Sequence, residues 1–170
     1  MTVGLLDILN SLATQEQALL PTFEIERAEF LVAYPTFPEP ADYDPKLGGQ
    51  LLFPFTCHWA GTSNWLKVGV NSALSIEDQH THEVISCIVF GLQKDRPDLL
   101  VKRDAQWRNA YREFVLKNLN LRITLEPSGA HSVTVQMGES NPLGFDFANM
   151  QVAGMITPLT ITLRQGIPIE

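Results

Sequence analysis

One stretch of the chain, Glu77-Asp-Gln-His-Thr-His-Glu83, has the residue types of a metal site. On a strand His80 and His82 would point to one face, and Asp78 or Glu83 would be in reach to add an oxygen ligand. A zinc site normally takes four ligands, or three and a water. A third nitrogen would have to come from His58 or His131, and nothing in the sequence brings either near. The pattern therefore predicts two exposed histidines at the entrance to a strand, and no metal.

Nucleophilic chemistry finds no better support. Ser75, Ser86, Ser128 and Ser132 lack the Gly-X-Ser-X-Gly elbow of a serine hydrolase. Cys57 directly precedes His58, and adjacent strand residues face opposite ways, which argues against a thiolate–imidazole pair. Cys57 and Cys87 are the only cysteines; both sit among β-type apolar residues and are expected to be buried free thiols in a reducing compartment. Gly48-Gly49 precedes a strand rather than a helix, so it offers no helix N-terminus to cradle phosphate. Trp59 and Trp65 flank a turn-like Gly61-Thr-Ser-Asn64 and have the surfaces to stack on a ligand, although core or interface tryptophans are the commoner outcome. No catalytic residue, metal or cofactor is expected, and the chain reads as a non-enzyme.

The elements that would position these residues begin with Leu5, Ile8, Leu9 and Leu12, whose spacing predicts an N-terminal amphipathic helix over about 4–18, ended before Pro21. Residues 23–34 read as extended or strand. Four prolines between Pro35 and Pro45 exclude a helix or a central strand there, and with Gly48-Gly49 they predict an extended arm over about 35–49. Such an arm either docks on a neighbour or is a plain surface loop. Leu51, Phe53, Phe55, Cys57 and Trp59 alternate as a strand, which Pro54 pushes to a sheet edge or a bulge. Further strands are expected over 65–70, 84–92, 121–126, 132–137, 150–156 and 159–164, with 84–92 central and covered on both faces. The expected fold is a single α+β domain over 1–170: a mainly antiparallel sheet of six or seven strands, the N-terminal helix, and one central amphipathic helix packed on it.

The chain has 170 residues, 45% of them hydrophobic and 18% charged, enough for one continuous core without metal or disulfide staples. No apolar run approaches the roughly 20 residues that cross a bilayer, and Asp7 in a start without basic residues is unlike an export signal. The net charge of −7 conceals an asymmetry. Residues 94–122 hold eight of the twelve basic residues and sum to +4, while residues 1–93 sum to −8. Such patches either let one subunit's basic face meet a neighbour's acidic one or are ordinary solvated surfaces. An acidic chain disfavours sequence-specific DNA binding.

The basic segment centres on the cassette from Arg103 to Leu121. Trp107, Ala110, Tyr111, Phe114 and Val115 make a buried stripe at helical spacing, and Trp107, Tyr111 and Phe114 would anchor the helix. Arg103, Arg108, Arg112 and Lys117 are the candidates for a subunit interface or a lumen. Asp104 with Arg108 and Glu113 with Lys117 are acid-first pairs one turn apart.

This Trp-Arg-X-Ala-X-X-X-Phe helix, running into an Asn-Leu strand entry, resembles small proteins at the neck or tail top of tailed bacteriophages, the tail terminators and head–tail joining proteins. The opening Met1-Thr-Val-Gly-Leu-Leu-Asp-Ile-Leu resembles their first helix, residues 84–92 their central strand, and 150–164, with Val152, Gly154 and Leu159 to Leu163, their last hairpin. The likeness spans roughly two thirds of the chain; the Pro-rich arm and the His80/His82 segment have no counterpart in it. It implies a non-enzymatic virion protein, assembled in the host cytoplasm into a homo-oligomeric ring, usually hexameric. Its partners would be other neck, connector or tail-tube proteins; DNA would pass through the ring without sequence recognition, and no membrane would be involved. Two other readings stand beside it. One is a small β-rich ligand-binding or metal-dependent enzymatic domain using Trp59, Trp65 and the His80/His82 face. The other is a tube- or sheath-associated part of a contractile secretion apparatus.

Overall fold

The computed structural model describes residues 4–20, 31–72, 75–95, 97–117 and 131–168, with side chains placed for these except at 64–72, 75–77, 115, 117, 131–132 and 165–168. Helix α1 spans Leu5–Gln17. The Gly4 amide donates to Asp7 Oδ2 at 2.8 Å, satisfying one donor that the first turn leaves unpaired. Ile8, Leu9, Leu12 and Ala13 form its buried stripe, and Glu16 continues it. Gln17 clamps the helix end to the following segment, donating to the Leu31 carbonyl and accepting from the Ala33 amide, both at 2.7 Å. That segment lies parallel to the first strand through an Ala33–Thr56 bridge. Residues 23–30 of the expected extended stretch lie outside the described residues.

Between Thr36 and Pro54 the chain forms a strap. It corrects the expectation of a wholly non-helical arm: α2 (Pro40–Tyr43) and a 3-10 turn (Pro45–Leu47) each begin with a proline. A proline in the first turn gives up only a donor that would go unused, and its fixed φ suits the helix. Asp42 Oδ2 accepts from the Glu39 amide at 2.7 Å, Asp44 Oδ1 accepts from the Lys46 amide at 2.9 Å, and Gly48 at φ 82° ends the second turn.

Five strands follow among the described residues: β1 (Phe55–Ser72), β2 (Ser75–Leu92), β3 (His131–Met137), β4 (Asn141–Phe147) and β5 (Met150–Pro168). All pairings are antiparallel, in the order β1-β2-β5-β3, with β4 also on β5. The described residues differ from the expected six or seven strands in three places. Gly61-Thr-Ser-Asn64 is not a turn: β1 runs through it with a register shift between Ala60 and Ser63, a bulge. The stretch 150–164 is not a pair of strands: β5 runs through Pro158, which lies between the end of β3 pairing at Leu159 and the start of β4 pairing at Ile156. The Pro158 carbonyl accepts from the Gly138 amide at 2.8 Å, so its missing N–H faces this interval and no ladder bond is lost. Against these fusions the Gly/Pro-rich 141–147 gains strand β4, joined to β5 by a two-residue turn with positive φ at Ala148 and Asn149. The strand expected over 121–126 lies outside the described residues. Pro54 sits just before β1, so Leu51 and Phe53 belong to the strap rather than to the strand.

Helix α3 spans Pro97–Lys117. Alternate residues of β2 face opposite layers. Val84, Ile88 and Phe90 share a buried cluster with Ile8 and Leu12 of α1, Trp107, Tyr111 and Phe114 of α3, and Ile161 and Leu163 of β5. Cys87 and Val89 share the other with Phe55, Cys57 and Val152, flanked by half-buried Phe53, Trp59, Phe145 and Phe147. No described helix is long and apolar enough to cross a membrane.

Candidate functional site

Four buried polar side chains from four elements meet on the α1/α3 face. Glu16 Oε1 accepts hydrogen bonds from Ser86 Oγ and Tyr111 Oη, each at 2.8 Å. Glu16 Oε2 lies 3.0 Å from His58 Nε2, an ion-pair distance without hydrogen-bond alignment, so the attraction there is chiefly electrostatic. The other imidazole nitrogen, Nδ1, is 2.8 Å from the Tyr34 carbonyl. Burial pushes the Glu16 carboxyl up, but the close His58 charge and the hydrogen bonds from Ser86 and Tyr111 outweigh it and hold the group below its ordinary range. Burial likewise pushes His58 down, and Glu16 with the backbone carbonyls outweighs it upward. Burial and the Glu16 charge raise the Tyr111 phenol well above its usual range. The cluster is thus a carboxylate–imidazolium pair with two neutral donors.

It carries a serine, a histidine and an acid, yet it is not a nucleophile site. Ser86 gives its proton to Glu16 and not to His58, and none of Glu16, His58, Ser86 and Tyr111 exceeds 3% exposure. The arrangement locks α1 and α3 to β1 and β2. Sequence reasoning missed it because its members are separated by 70 and 95 residues. One signal was present: Glu16 falls on the apolar stripe of α1, where a solvated glutamate has no place.

The histidines at the other end of β2 correct a second expectation. His80 and His82 are 7% and 8% exposed, not surface residues, with rings in a T-shaped contact at 4.5 Å. His80 Nδ1 is 3.4 Å from Asp78 Oδ1, and His82 Nδ1 is 2.7 Å from Ser63 Oγ on β1. Beside them on β5 stand Leu163, opposite His80, and Ile161, opposite His82, both fully buried, and the Trp65 backbone lies opposite His80 on β1. Burial and the neighbouring His80 push His82 down, against Asp78, so its ring is neutral. Ser63 and His82 do not form a catalytic relay, because Asp78 sits on His80 while the His82 Nε2 is buried without a partner. Among the described residues no group of three or more His, Cys, Asp and Glu is placed to hold a metal. The side chains of Trp65 and His131 lie outside the described residues.

The basic face of α3 is smaller than its sequence implies. Arg103 turns inward and donates from a guanidinium nitrogen to the Phe90 carbonyl; burial pulls its pKa down, opposed by Asp95. Arg108 Nε bonds Asp104 Oδ2 at 2.8 Å, the expected pair, and its guanidinium reaches the Ser140 carbonyl at 3.3 Å, tying α3 to the β3–β4 connection. Arg112 is exposed, and the Lys117 side chain lies outside the described residues. Trp107 and Tyr111 are 1% exposed and Phe114 7%, with Trp107 stacked on Tyr111 at 5.0 Å.

On the opposite face Cys57 and Cys87 are cross-strand partners, both free and fully buried. A hydrogen bond between them and burial push the Cys57 thiol far up, which leaves it inert as a nucleophile. Around them the strap rests on the sheet through rings: Phe37 stacks on Trp59 at 5.3 Å and on Phe147 at 6.2 Å, Tyr43 meets Phe147 edge-on at 5.2 Å, and Phe53 lies 5.7 Å from Phe55. Trp59 is thereby covered by the chain's own Phe37. Comparison with known protein families finds no match, and no curated protein matches the sequence.

Proposed function

We propose that this chain is a structural virion protein that forms a ring at the neck or tail top of a tailed bacteriophage, ending the tail tube and joining it to the head connector. The observation that carries the reading is α3. The Trp-Arg-X-Ala-X-X-X-Phe cassette buries Trp107, Tyr111 and Phe114 and leaves Arg112 exposed on its other side. The helix is thus anchored from within and free to present Arg112 to a neighbour or to passing DNA. In this reading six subunits close the ring, and assembly takes place in the host cytoplasm.

Mass in solution tests it. Native mass spectrometry or light scattering of the purified chain is expected to give a closed ring, and a monomer at every concentration would overturn the proposal. A metal retained at one per chain after dialysis against chelator, with unfolding on its removal, would instead promote a metal-dependent domain built on His80 and His82.

A further inference from the structure

Helix α3 has a second apolar stripe that is exposed among the described residues. Val101 and Leu116 are 68% and 61% exposed, the largest exposures among its described apolar residues. They lie fifteen residues apart, about 22 Å along the axis and within about 60° around it, with exposed Ala105 and Arg112 between them. This stripe points away from Trp107. Single exposed apolar side chains are ordinary, but a row of them on a helix already anchored by its other face marks a contact surface.

A surface of matching character lies on the far side of the sheet. The strap exposes Leu47 at 62% and Phe37 at 39%, beside exposed Glu39. Glu39 on the strap and Arg112 in the α3 stripe are exposed charges of opposite sign. Among the described residues every hydrogen bond of Thr36–Pro54 stays within the strap, so ring contacts and the packing of Leu51 and Leu52 hold it to its own sheet, and its outward side is free of directional bonds to that sheet. α3 and the strap cover opposite faces of the sheet.

We propose that copies of this chain meet head to tail, the outer stripe of α3 in one copy seated on the strap of the next. The proposal rests on the ring reading above and names its interface. Complementary patches on opposite faces of one subunit make a heterologous contact, which closes into a ring when the rotation allows and otherwise continues as a stack. The opposite charges fix which face meets which.

Two charge reversals test it, Arg112→Glu and Glu39→Arg, each at an exposed position. Either variant alone places like charges at every contact and is expected to raise the concentration needed for assembly by at least about tenfold. An equimolar mixture is expected to regain the wild-type mass. In an alternating assembly the introduced glutamate of one variant meets the introduced arginine of the other at one contact, and the native Arg112 meets the native Glu39 at the next. Misfolded variants would not rescue each other in this way. Wild-type-like assembly of either variant alone, or a mixture that stays dissociated, overturns the interface while the wild-type ring stands. A mixture that stops at a two-fold dimer overturns the head-to-tail arrangement. A wild-type chain that is monomeric throughout overturns the ring reading and the interface with it.

Discussion

On the α1/α3 face a carboxylate accepts from Ser86 and Tyr111 and pairs with His58, whereas on the opposite face the strap reaches the sheet through Phe37, Tyr43 and Phe53 without a hydrogen bond among the described residues. The two modes of attachment do different things. Directional bonds to a buried charge accept one arrangement of four elements and penalise all others, because any partner left behind is stranded in low dielectric. Ring contacts attract over a range of offsets and angles, so they hold a segment without fixing it. The first face is built to stay, and the second is able to yield.

The largest expected effect belongs to the first face. Trp107→Ala should cost about 3–5 kcal/mol in denaturant unfolding, as truncation of a large buried aromatic does. A loss within the range of surface substitutions would show that α3 is not anchored there. Glu16→Gln is next, at about 3 kcal/mol, since it leaves His58 buried without its counter-charge.

That second loss should depend on pH. Glu16 is held below its ordinary range, so its contribution is present above about pH 4.3 and fades as pH falls through the lowered value. His58 is raised, so its contribution is complete below about pH 6.5 and fades as pH rises through the higher value. The advantage of wild type over Glu16→Gln should therefore be greatest between about pH 4.3 and 6.5 and shrink on both sides. A difference that is flat with pH would remove the ion pair from the account.

Phe37→Ala should be milder, about 1 kcal/mol, because it removes two stacking contacts from a half-exposed ring. Its signature would be local: amide hydrogen exchange over the strap should speed up while α1 and β2 keep their protection. Equal acceleration on both faces would break the comparison. The smallest effect concerns His82, which burial and His80 push down, so that the unfolded chain takes up its proton first and stability declines as pH drops below about 6.5. His82→Gln should remove that acid-side decline, measured as the gain of the variant over wild type near pH 5.

What could be read in advance was whatever local spacing determines. The Trp107, Tyr111 and Phe114 stripe and the apolar run of β2 state their periodicity within a dozen residues, and both elements exist. Gly61–Asn64 and Pro158 carry turn chemistry locally, yet each sits inside a strand, because neighbouring strands supply the pairing that local preference opposes. The burial of His80 and His82 goes with residues that β5 brings beside them, Ile161 and Leu163, which no window around residue 80 contains. The Glu16 cluster needs four elements at once and announces itself only as an acid on an apolar stripe.

β5 pairs with β2 along one side and with both β3 and β4 along the other, and neither β3 nor β4 has another partner among the described strands. During synthesis the β1–β2 hairpin can close as soon as it leaves the ribosome, but β3 and β4 must wait for a strand translated after both. Until β5 emerges, Val133 and Val135, buried in the finished sheet, belong to a strand with open edges. Such edges invite pairing with another nascent chain. Delivery of β5 is therefore the step that closes these edges.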